Sequence, residues 1–243
     1  MTKLPGNLWW DGDRLARIKP PVAAAHLKIL YEDNHVLSVF KPAGLLSQGP
    51  GEKQNTLVDI AKEWIKIKYE KPGNVYLGLV HRLDRPVSGV VILAKTSKAA
   101  SRLSAQMREK QIHKEYLAVV HGIPKNKKGT VEGYLKKNEK DQKMLIIDSE
   151  YTNSLYSRLE YKLLDSKGYK SLLLVFPFSG RRHQIRVLLA HVGLPIWGDC
   201  KYGKGPKLRS TIGLLAYRMS FLHPTTFSRI TVEAPLPPNW PWP

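Results

Sequence analysis

The chain has 243 residues, of which 42% are hydrophobic, so it can form one large domain or two small ones with a substantial buried core. Its net charge of +19 indicates an anionic partner, and nucleic acid is favoured over an anionic membrane because neither end carries a long basic amphipathic helix. The single cysteine excludes an intramolecular disulfide, and we expect neither a secretory signal nor a membrane span, which favours the cytoplasm.

The order of apolar runs and chain breakers predicts three parts. Residues 1–27 are expected to form an irregular N-terminal arm, in which Pro20-Pro21 breaks any helix. Residues 28–236 are expected to form one globular domain. Residues 237–243 form a tail rich in proline and tryptophan, which excludes a regular element.

Within the domain, predicted strands and helices are mixed and do not alternate strictly. Strands are predicted at 36–40, 90–94, 116–120 and 172–176. Helices are predicted over 56–68, from an N-cap at Ser97, and from Gly180 to a stop at Gly193. The lysine-rich segment 125–143 is predicted to be loops and hairpin turns. This pattern favours an α+β fold with a mixed, largely antiparallel sheet.

The run His81-Arg82-Leu83-Asp84-Arg85 places one carboxylate between two arginines. A guanidinium close to a carboxylate lowers its pKa and keeps it ionised, and an ionised, oriented carboxylate can act as a nucleophile. The same run is also compatible with a surface cluster of ion pairs.

A second basic run, Gly180 to Arg186, opens the last predicted helix. His183 and Arg186 share one face of that helix, as do Arg182 and Arg186, and the apolar residues face the core. This face is either a solvated basic surface, a set of hydrogen-bond donors that bind phosphate, or the partner of Asp84. A planar guanidinium is well suited to pair with a carboxylate.

Two further features are ambiguous when taken alone. Tyr116 opens a predicted strand, where it either fills the core or stacks on a nucleobase. Lys41 begins Lys-Pro-Ala-Gly, which by itself is only a turn.

Taken together and in this order, the motifs resemble the pseudouridine synthases of the RluA family, which isomerise uridine in RNA. The resemblance runs from about Ile29 to Ala234. It rests on seven motifs: Lys41-Pro-Ala-Gly44, His81-Arg-Leu-Asp84, Ser88-Gly89 with Ala94-Lys95, Lys114-Glu-Tyr116, Gly180-Arg-x-His-Gln-Ile-Arg186, Pro195-Ile-x-Gly-Asp-x-x-Tyr202 and His223-Pro224. Val87 and Arg182 depart from the family pattern, and both departures concern loop packing and RNA contact.

The resemblance implies the fold of that family, an α+β catalytic domain over residues 28–236 with an RNA-binding cleft, and a role for each matching residue. Asp84 matches the catalytic aspartate, Tyr116 the tyrosine against the target base, and Arg186 the arginine paired with the aspartate. The remaining site residues are expected to bind substrate: Lys41, His81, Arg82, Arg85, Arg181, His183 and Ile185, of which Ile185 lines the uracil pocket. His81 also fits a structural role that holds the Asp84 loop.

The expected substrate is a stem-loop of ribosomal or transfer RNA, and 13 Lys or Arg against 5 acidic residues between Lys95 and Lys143 provide phosphate contacts. The enzyme is expected to be a monomer that needs no cofactor and no metal and binds no membrane. We expect no room for the N-terminal RNA-binding module of many relatives. Two alternatives remain: a non-catalytic RNA-binding or ribosome-associated protein, and a metal-dependent nuclease built from His81, Asp84, His183, His191 and Asp199.

Overall fold

A computed structural model describes residues 12–49, 55–147, 149–203 and 211–242 of the chain. Within these ranges, eleven strands form one sheet and five helices pack around it. The strands are β1 (Ile29–Glu32), β2 (Val36–Lys41), β3 (Gly78–Leu79), β4 (Ser88–Ala94), β5 (His113–His121), β6 (Lys128–Lys137), β7 (Met144–Ile147), β8 (Leu155–Lys167), β9 (Lys170–Pro177), β10 (Leu214–Leu222) and β11 (Arg229–Glu233). The helices are α1 (Gly12–Leu15), α2 (Pro20–Ala24), α3 (Leu57–Lys68), α4 (Ser97–Arg108) and α5 (Gln184–His191). The predicted α+β class is confirmed.

The sheet runs in the order β1-β2-β4-β10-β5-β9-β8-β6-β7, with β3 added to β4 and β11 to β10. In the described part of the chain, β4 and β10 are the only parallel neighbours. Their close approach requires glycine at position 89, because a Cβ there would lie 2.2 Å from the carbonyl oxygen of Ala216. This contact places the loop before β4 beside the centre of the sheet.

The two faces of the sheet bury separate apolar cores. On one face, α3 and α5 contribute Ile60 and Leu188 to a core that Tyr116 also contacts. On the other face, α4 contributes Leu103 to a core that also contains Leu117 of β5. Because neighbouring residues on a strand point to opposite faces, Tyr116 and α4 lie on opposite sides of the sheet.

Local side-chain bonds determine where the helices begin. Thr56 caps α3, and Thr56 and Asp59 satisfy each other's backbone N–H groups. The N-cap of α4 is Thr96, whose hydroxyl accepts from the Ala99 N–H at 3.2 Å, and Ser97 is the first helical residue. The prediction of Ser97 as the cap was wrong by one residue, because either hydroxyl residue satisfies the sequence pattern.

The described part of the N-terminal segment is more regular than the sequence suggests. Pro20 begins α2, where its missing N–H breaks no helical bond, so the expectation that this proline pair breaks any helix was wrong. Leu15 and Ala23 are buried in the same core as α3. The segment from Gly12 onward therefore packs on the body of the domain.

Segment 125–143 also differs from its prediction. It contains the ten-residue strand β6, which pairs with β8 and β7. Val131 and Leu135 are buried, and lysines and glycines fill most of the other positions. The lysines suggested a loop, but Lys128 and Lys136 lie on the face opposite to Val131 and Leu135, as is typical of a half-buried strand. We call β6, β7 and β8 the lysine-rich lobe.

Two smaller observations complete the fold. In the tail, Trp240 packs against the core on the α4 side of the sheet. No helix in the described ranges is both long and apolar enough to cross a bilayer.

Candidate active site

The loop between β3 and β4 carries Asp84, and two sets of hydrogen bonds hold it in place. Leu83 is buried, and its N–H donates to the hydroxyl of Ser47 at 3.1 Å while its carbonyl accepts from the same hydroxyl at 3.0 Å. The N–H of Val87 donates to the Asp84 carbonyl at 3.0 Å and closes a turn. The backbone that presents the carboxylate is therefore anchored.

Lys41 lies beneath this loop, fully buried at the end of β2. Its ammonium donates to the carbonyls of Leu45 at 2.7 Å, Pro42 at 3.0 Å and Arg85 at 3.2 Å. Burial lowers the pKa of Lys41 to about 7, and the charge of Asp84 opposes that shift. Lys41 thus joins two loops, and direct contact with RNA would require those loops to open.

Arg186, in the first turn of α5, binds two carboxylates. Its Nη1 donates to Asp84 Oδ2 at 3.0 Å, and its Nε and Nη2 donate to the two oxygens of Asp199 at 2.7 and 2.9 Å. Arg186 and Asp199 are buried, with exposed fractions of 5% and 1%. The pKa of Arg186 is raised far above its usual value, because the two carboxylates outweigh the lowering effect of burial. The arginine remains charged and orients Asp84.

Asp199 completes the group formed by Asp84, Arg186 and Asp199, which we call the centre. It accepts from the backbone N–H of Lys201 at 3.0 Å and of Tyr202 at 3.4 Å, in addition to Arg186. Burial alone would raise the pKa of Asp199, but the hydrogen bonds and the guanidinium lower it below the usual value. Asp199 therefore remains ionised and fixes the fork of Arg186.

The sequence-based interpretation did not identify Asp199 and Tyr202 as parts of this centre. Asp199 entered only as a possible metal ligand, and Tyr202 only as part of a motif. The usable signal was the run from Pro195 to Tyr202, which carries both residues.

His183 lies beside the carboxylate. Its Nε2 is 3.7 Å from Asp84 Oδ2, and its Nδ1 is 2.6 Å from the hydroxyl of Tyr202. Burial, followed by the charges of Arg186 and neighbouring cations, lowers the pKa of His183 to about 4, although Asp84 opposes this. The imidazole is neutral at neutral pH.

Tyr116 and Ile185, which we call the apolar wall, belong to one apolar core, and Tyr116 lies near Asp84. Ile185 is buried in α5, and Tyr116 packs against the same core. Burial and the negative charge of Asp84 raise the pKa of Tyr116 far above its usual value. The phenol therefore stays protonated near the carboxylate.

Neither arginine that flanks Asp84 in sequence binds it within the described part of the chain. Arg85 donates to the Gly44 carbonyl at 2.9 Å and to an Asp13 oxygen at 2.8 Å. Arg82 and Arg181 have exposed side chains. The guanidinium that holds Asp84 thus comes from α5, 102 residues away in sequence, and not from the flanking arginines.

His81 takes a structural position. Its Nε2 accepts from the Ile92 N–H at 3.1 Å and so links the Asp84 loop to β4. Burial and the nearby charge of Lys114 lower the pKa of His81 to about 3. The neutral ring accepts this hydrogen bond at Nε2 and so holds the loop against β4.

The arrangement does not support the metal-dependent nuclease. No group of three or more His, Cys, Asp and Glu suited to a metal ion occurs among the residues that the structure describes. Arg186 bonds both Asp84 and Asp199, so a guanidinium takes the place between the two carboxylates where that hypothesis requires a cation.

Comparison with known proteins places this centre in context. Residues 35–191 match a family model described as RNA pseudouridylate synthase. A ribosomal large subunit pseudouridine synthase C of Buchnera aphidicola subsp. Acyrthosiphon pisum is 38% identical over 86% of this chain and 67% of its own length. An RNA pseudouridine synthase of Bacillus subtilis is 33% identical over 87% of this chain and 69% of its own. The chain spans about two thirds of the length of these relatives.

The fold is shared with solved structures. Human RNA Pseudouridylate Synthase Domain Containing 4 superposes with a TM-score of 0.77 at 22% identity, covering 91% of this chain and 94% of its own. Human RNA Pseudouridylate Synthase Domain Containing 1 gives 0.70 at 24% identity, covering 87% and 84%. At these identities the likeness concerns the fold.

Proposed function

This chain belongs to the RNA pseudouridylate synthase family, as an isomerase that acts on RNA, and we propose that it converts uridine to pseudouridine in large-subunit ribosomal RNA with Asp84 as the catalytic carboxylate. The observation that carries the assignment of Asp84 is its bond to buried Arg186, which is itself held by Asp199. The names of the relatives support the choice of ribosomal RNA over transfer RNA.

The reaction needs one carboxylate that stays ionised. The N1–C1′ bond of uridine breaks, the released uracil turns while held in place, and C5 joins C1′. C5 then gives up its proton and N1 takes one up, so the isomerisation needs no other reactant. Because the uracil anion delocalises its charge, no second carboxylic acid is needed to protonate the leaving group, unlike in a glycosidase. Arg186 binds Oδ2 of Asp84 and so orients the carboxylate for this chemistry.

The apolar wall suits the released base. Tyr116 presents an uncharged ring beside Asp84, and Ile185 packs on the same core. A flat apolar surface allows a base to stack and to rotate in its plane. We assign Tyr116 to contact with the target base and Ile185 to the pocket that surrounds it.

The target nucleotide must leave its stack to reach Asp84, at a cost of a few kcal/mol in a duplex. Contacts between basic side chains and phosphates offset that cost. Arg82, Arg181 and Arg182 are exposed next to the carboxylate and the start of α5, and the lysine-rich lobe adds further charge. We assign these side chains to the RNA backbone.

We also propose that the enzyme acts as a cytoplasmic monomer without metal or cofactor, using residues 28–236 as the catalytic domain. The argument against a metal is the bridging of both carboxylates by Arg186. The arm of residues 1–27 and the tail of residues 237–243 are proposed to be accessory to this domain.

The experiment maps pseudouridine at single-nucleotide resolution in ribosomal and transfer RNA incubated with the wild type or with Asp84→Asn. We expect new sites in large-subunit ribosomal RNA with the wild type alone, because the amide keeps the shape but removes the charge. Equal modification by both proteins would refute the role of Asp84. New sites only in transfer RNA would refute large-subunit ribosomal RNA as the substrate. RNA binding without modification by either protein would favour a non-catalytic RNA-binding protein.

A further inference from the structure

The two oxygens of the Asp84 carboxylate have different surroundings. Oδ2 contacts both Arg186, at 3.0 Å, and Nε2 of His183, at 3.7 Å. No hydrogen bond to Oδ1 occurs within the described residues. One oxygen is therefore held, and the other is left for the substrate.

A chain of hydrogen bonds favours one of the two neutral tautomers of His183. The backbone N–H of Met144 donates to the hydroxyl of Tyr202 at 3.0 Å, so that oxygen already serves as an acceptor. The hydroxyl proton is then available for Nδ1 of His183, 2.6 Å away. With Nδ1 accepting, the neutral ring bears its hydrogen on Nε2, the atom that faces Asp84.

The opposite tautomer would be unfavourable. It would direct the Nε2 lone pair toward the carboxylate and leave the Tyr202 hydroxyl proton without this acceptor. The cations Arg182, Arg186 and Lys201 lower the pKa of His183 in addition to burial, whereas Asp84 raises it. The ring therefore presents an N–H dipole and not a full positive charge.

The backbone at His183 also serves this orientation. Its φ of 55° lies in the left-handed region, and it precedes α5 without making a side-chain cap bond. A side chain at this position usually satisfies the first turn of the helix. Here the imidazole lies instead between Tyr202 and Asp84, in a conformation that histidine adopts more readily than most residues.

From this geometry we propose that His183 is a positioning residue, which holds Oδ2 of Asp84 through its Nε2–H so that Oδ1 meets the substrate, and that Tyr202 fixes the tautomer this requires. The proposal rests on the proposed function and deepens it. The distance of 3.7 Å exceeds a hydrogen bond in the free enzyme, and catalytic contacts of this kind tighten when the substrate binds.

A matched pair of variants separates this role from simple packing. His183→Asn places an amide near Nδ1 and keeps the contact with Tyr202, but does not reach Asp84. His183→Gln extends an N–H to the position of Nε2. Asn tolerates the left-handed backbone better than Gln, so strain and positioning predict opposite orders of activity.

We expect His183→Asn to lower kcat by about tenfold or more with little change in KM, because a small misplacement of a reacting group is costly. His183→Gln should recover most of that loss. Equal kcat values for the two variants, or a higher value for His183→Asn, would overturn the proposal.

Tyr202→Phe provides a second readout through pH. Without the hydroxyl, Nδ1 can take up a proton, and the resulting imidazolium would pair with Asp84. We expect the acid limb of the kcat profile to move to higher pH, and nitrogen NMR of His183 to show loss of the single Nε2–H form. An unchanged profile and an unchanged tautomer would overturn the role of Tyr202.

The assays also distinguish failure of this proposal from failure of the proposed function. If the wild type forms pseudouridine and Asp84→Asn does not, while the His183 variants are equal, only the positioning role fails. If the wild type and Asp84→Asn are equally inactive on every RNA supplied, the function itself is refuted.

Discussion

The centre around Asp84 and the lysine-rich lobe represent two different uses of charge in one chain. At the centre, Arg186 and Asp199 are buried and pair through hydrogen bonds of 2.7 and 2.9 Å. At the edge of the lobe, the ion pair of Lys137 with Glu139 is exposed, and pairs of this kind contribute little to stability. Buried, fully bonded charges fix geometry, whereas exposed charges attract an anionic partner without fixing it. We therefore expect changes at the centre to affect the chemical step and changes at the basic surface to affect RNA affinity.

The largest effect is expected for Arg186→Lys. Lysine keeps the positive charge but cannot bond Asp84 and Asp199 at once through a planar fork. We predict that kcat falls by about 10²- to 10³-fold, as for the loss of other pre-oriented electrostatic groups, while RNA affinity stays near that of the wild type. Single-turnover rates with saturating enzyme measure this. A rate close to the wild type would show that charge alone is sufficient at this position.

Asp199→Asn tests the buried end of the same network through stability. Without the Asp199 charge, the cost of burying the guanidinium of Arg186 is offset less. We therefore predict a loss of about 3 kcal/mol in the free energy of unfolding. Urea denaturation measures this, with Glu160→Gln, in an exposed pair with Arg158, as the control for charge removal.

The lowered pKa of Asp199 predicts how the free energy of unfolding depends on pH. Because the folded pKa of Asp199 lies below its unfolded value of about 3.9, its contribution is fully present above that pH. The contribution disappears as the pH falls through the folded pKa. The stability difference between the wild type and Asp199→Asn should therefore shrink only in acid below about pH 4. A difference that is constant down to acid unfolding would contradict the assigned pairing.

Lys41→Met tests the support beneath the Asp84 loop and should have a smaller effect. Three backbone carbonyls lose their donor, which predicts a loss of about 1–3 kcal/mol in the free energy of unfolding. Burial lowers the folded pKa of Lys41 to about 7, so the unfolded chain binds this proton more tightly. The contribution of Lys41 to stability therefore rises with pH from about 7 to about 10. A difference from the wild type that does not vary over this range would contradict the shift.

The smallest effect is expected at the exposed rim. Arg181→Gln should weaken RNA binding several-fold and reduce the slope of log K against log salt by about 1, with kcat unchanged. Arg108→Gln on α4 is the matched control, because it removes the same exposed charge on the opposite face of the sheet. Equal losses for both variants would mean that the basic surface attracts RNA without a preferred face.

Sequence patterns were sufficient to predict helices and strands whose apolar residues repeat at regular spacing. The helix around Ile60 and the strands around Val91 and Leu173 follow directly from apolar spacing. The pattern was insufficient to predict β6, because a half-buried strand rich in lysine and glycine has the composition of a loop. It was also insufficient at Pro20, where position in the helix decides whether proline is tolerated.

The site was predictable to a similar extent. The pairing of Asp84 with Arg186 followed from the resemblance, and the structure places the two side chains 3.0 Å apart. The partner role of Asp199 could not be derived from spacing, because the bond depends on how the segment after α5 folds back. The orientation of His183 depends on Tyr202 in the same way.

The most direct test measures two quantities for two variants in parallel: the single-turnover rate of pseudouridine formation at saturating enzyme, and the Kd for the same RNA. We predict a crossed pattern, in which Asp84→Asn abolishes the rate but keeps the Kd, and Arg181→Gln weakens the Kd but keeps the rate. If both variants changed the same quantity, the division between a buried centre for chemistry and an exposed surface for binding would be contradicted.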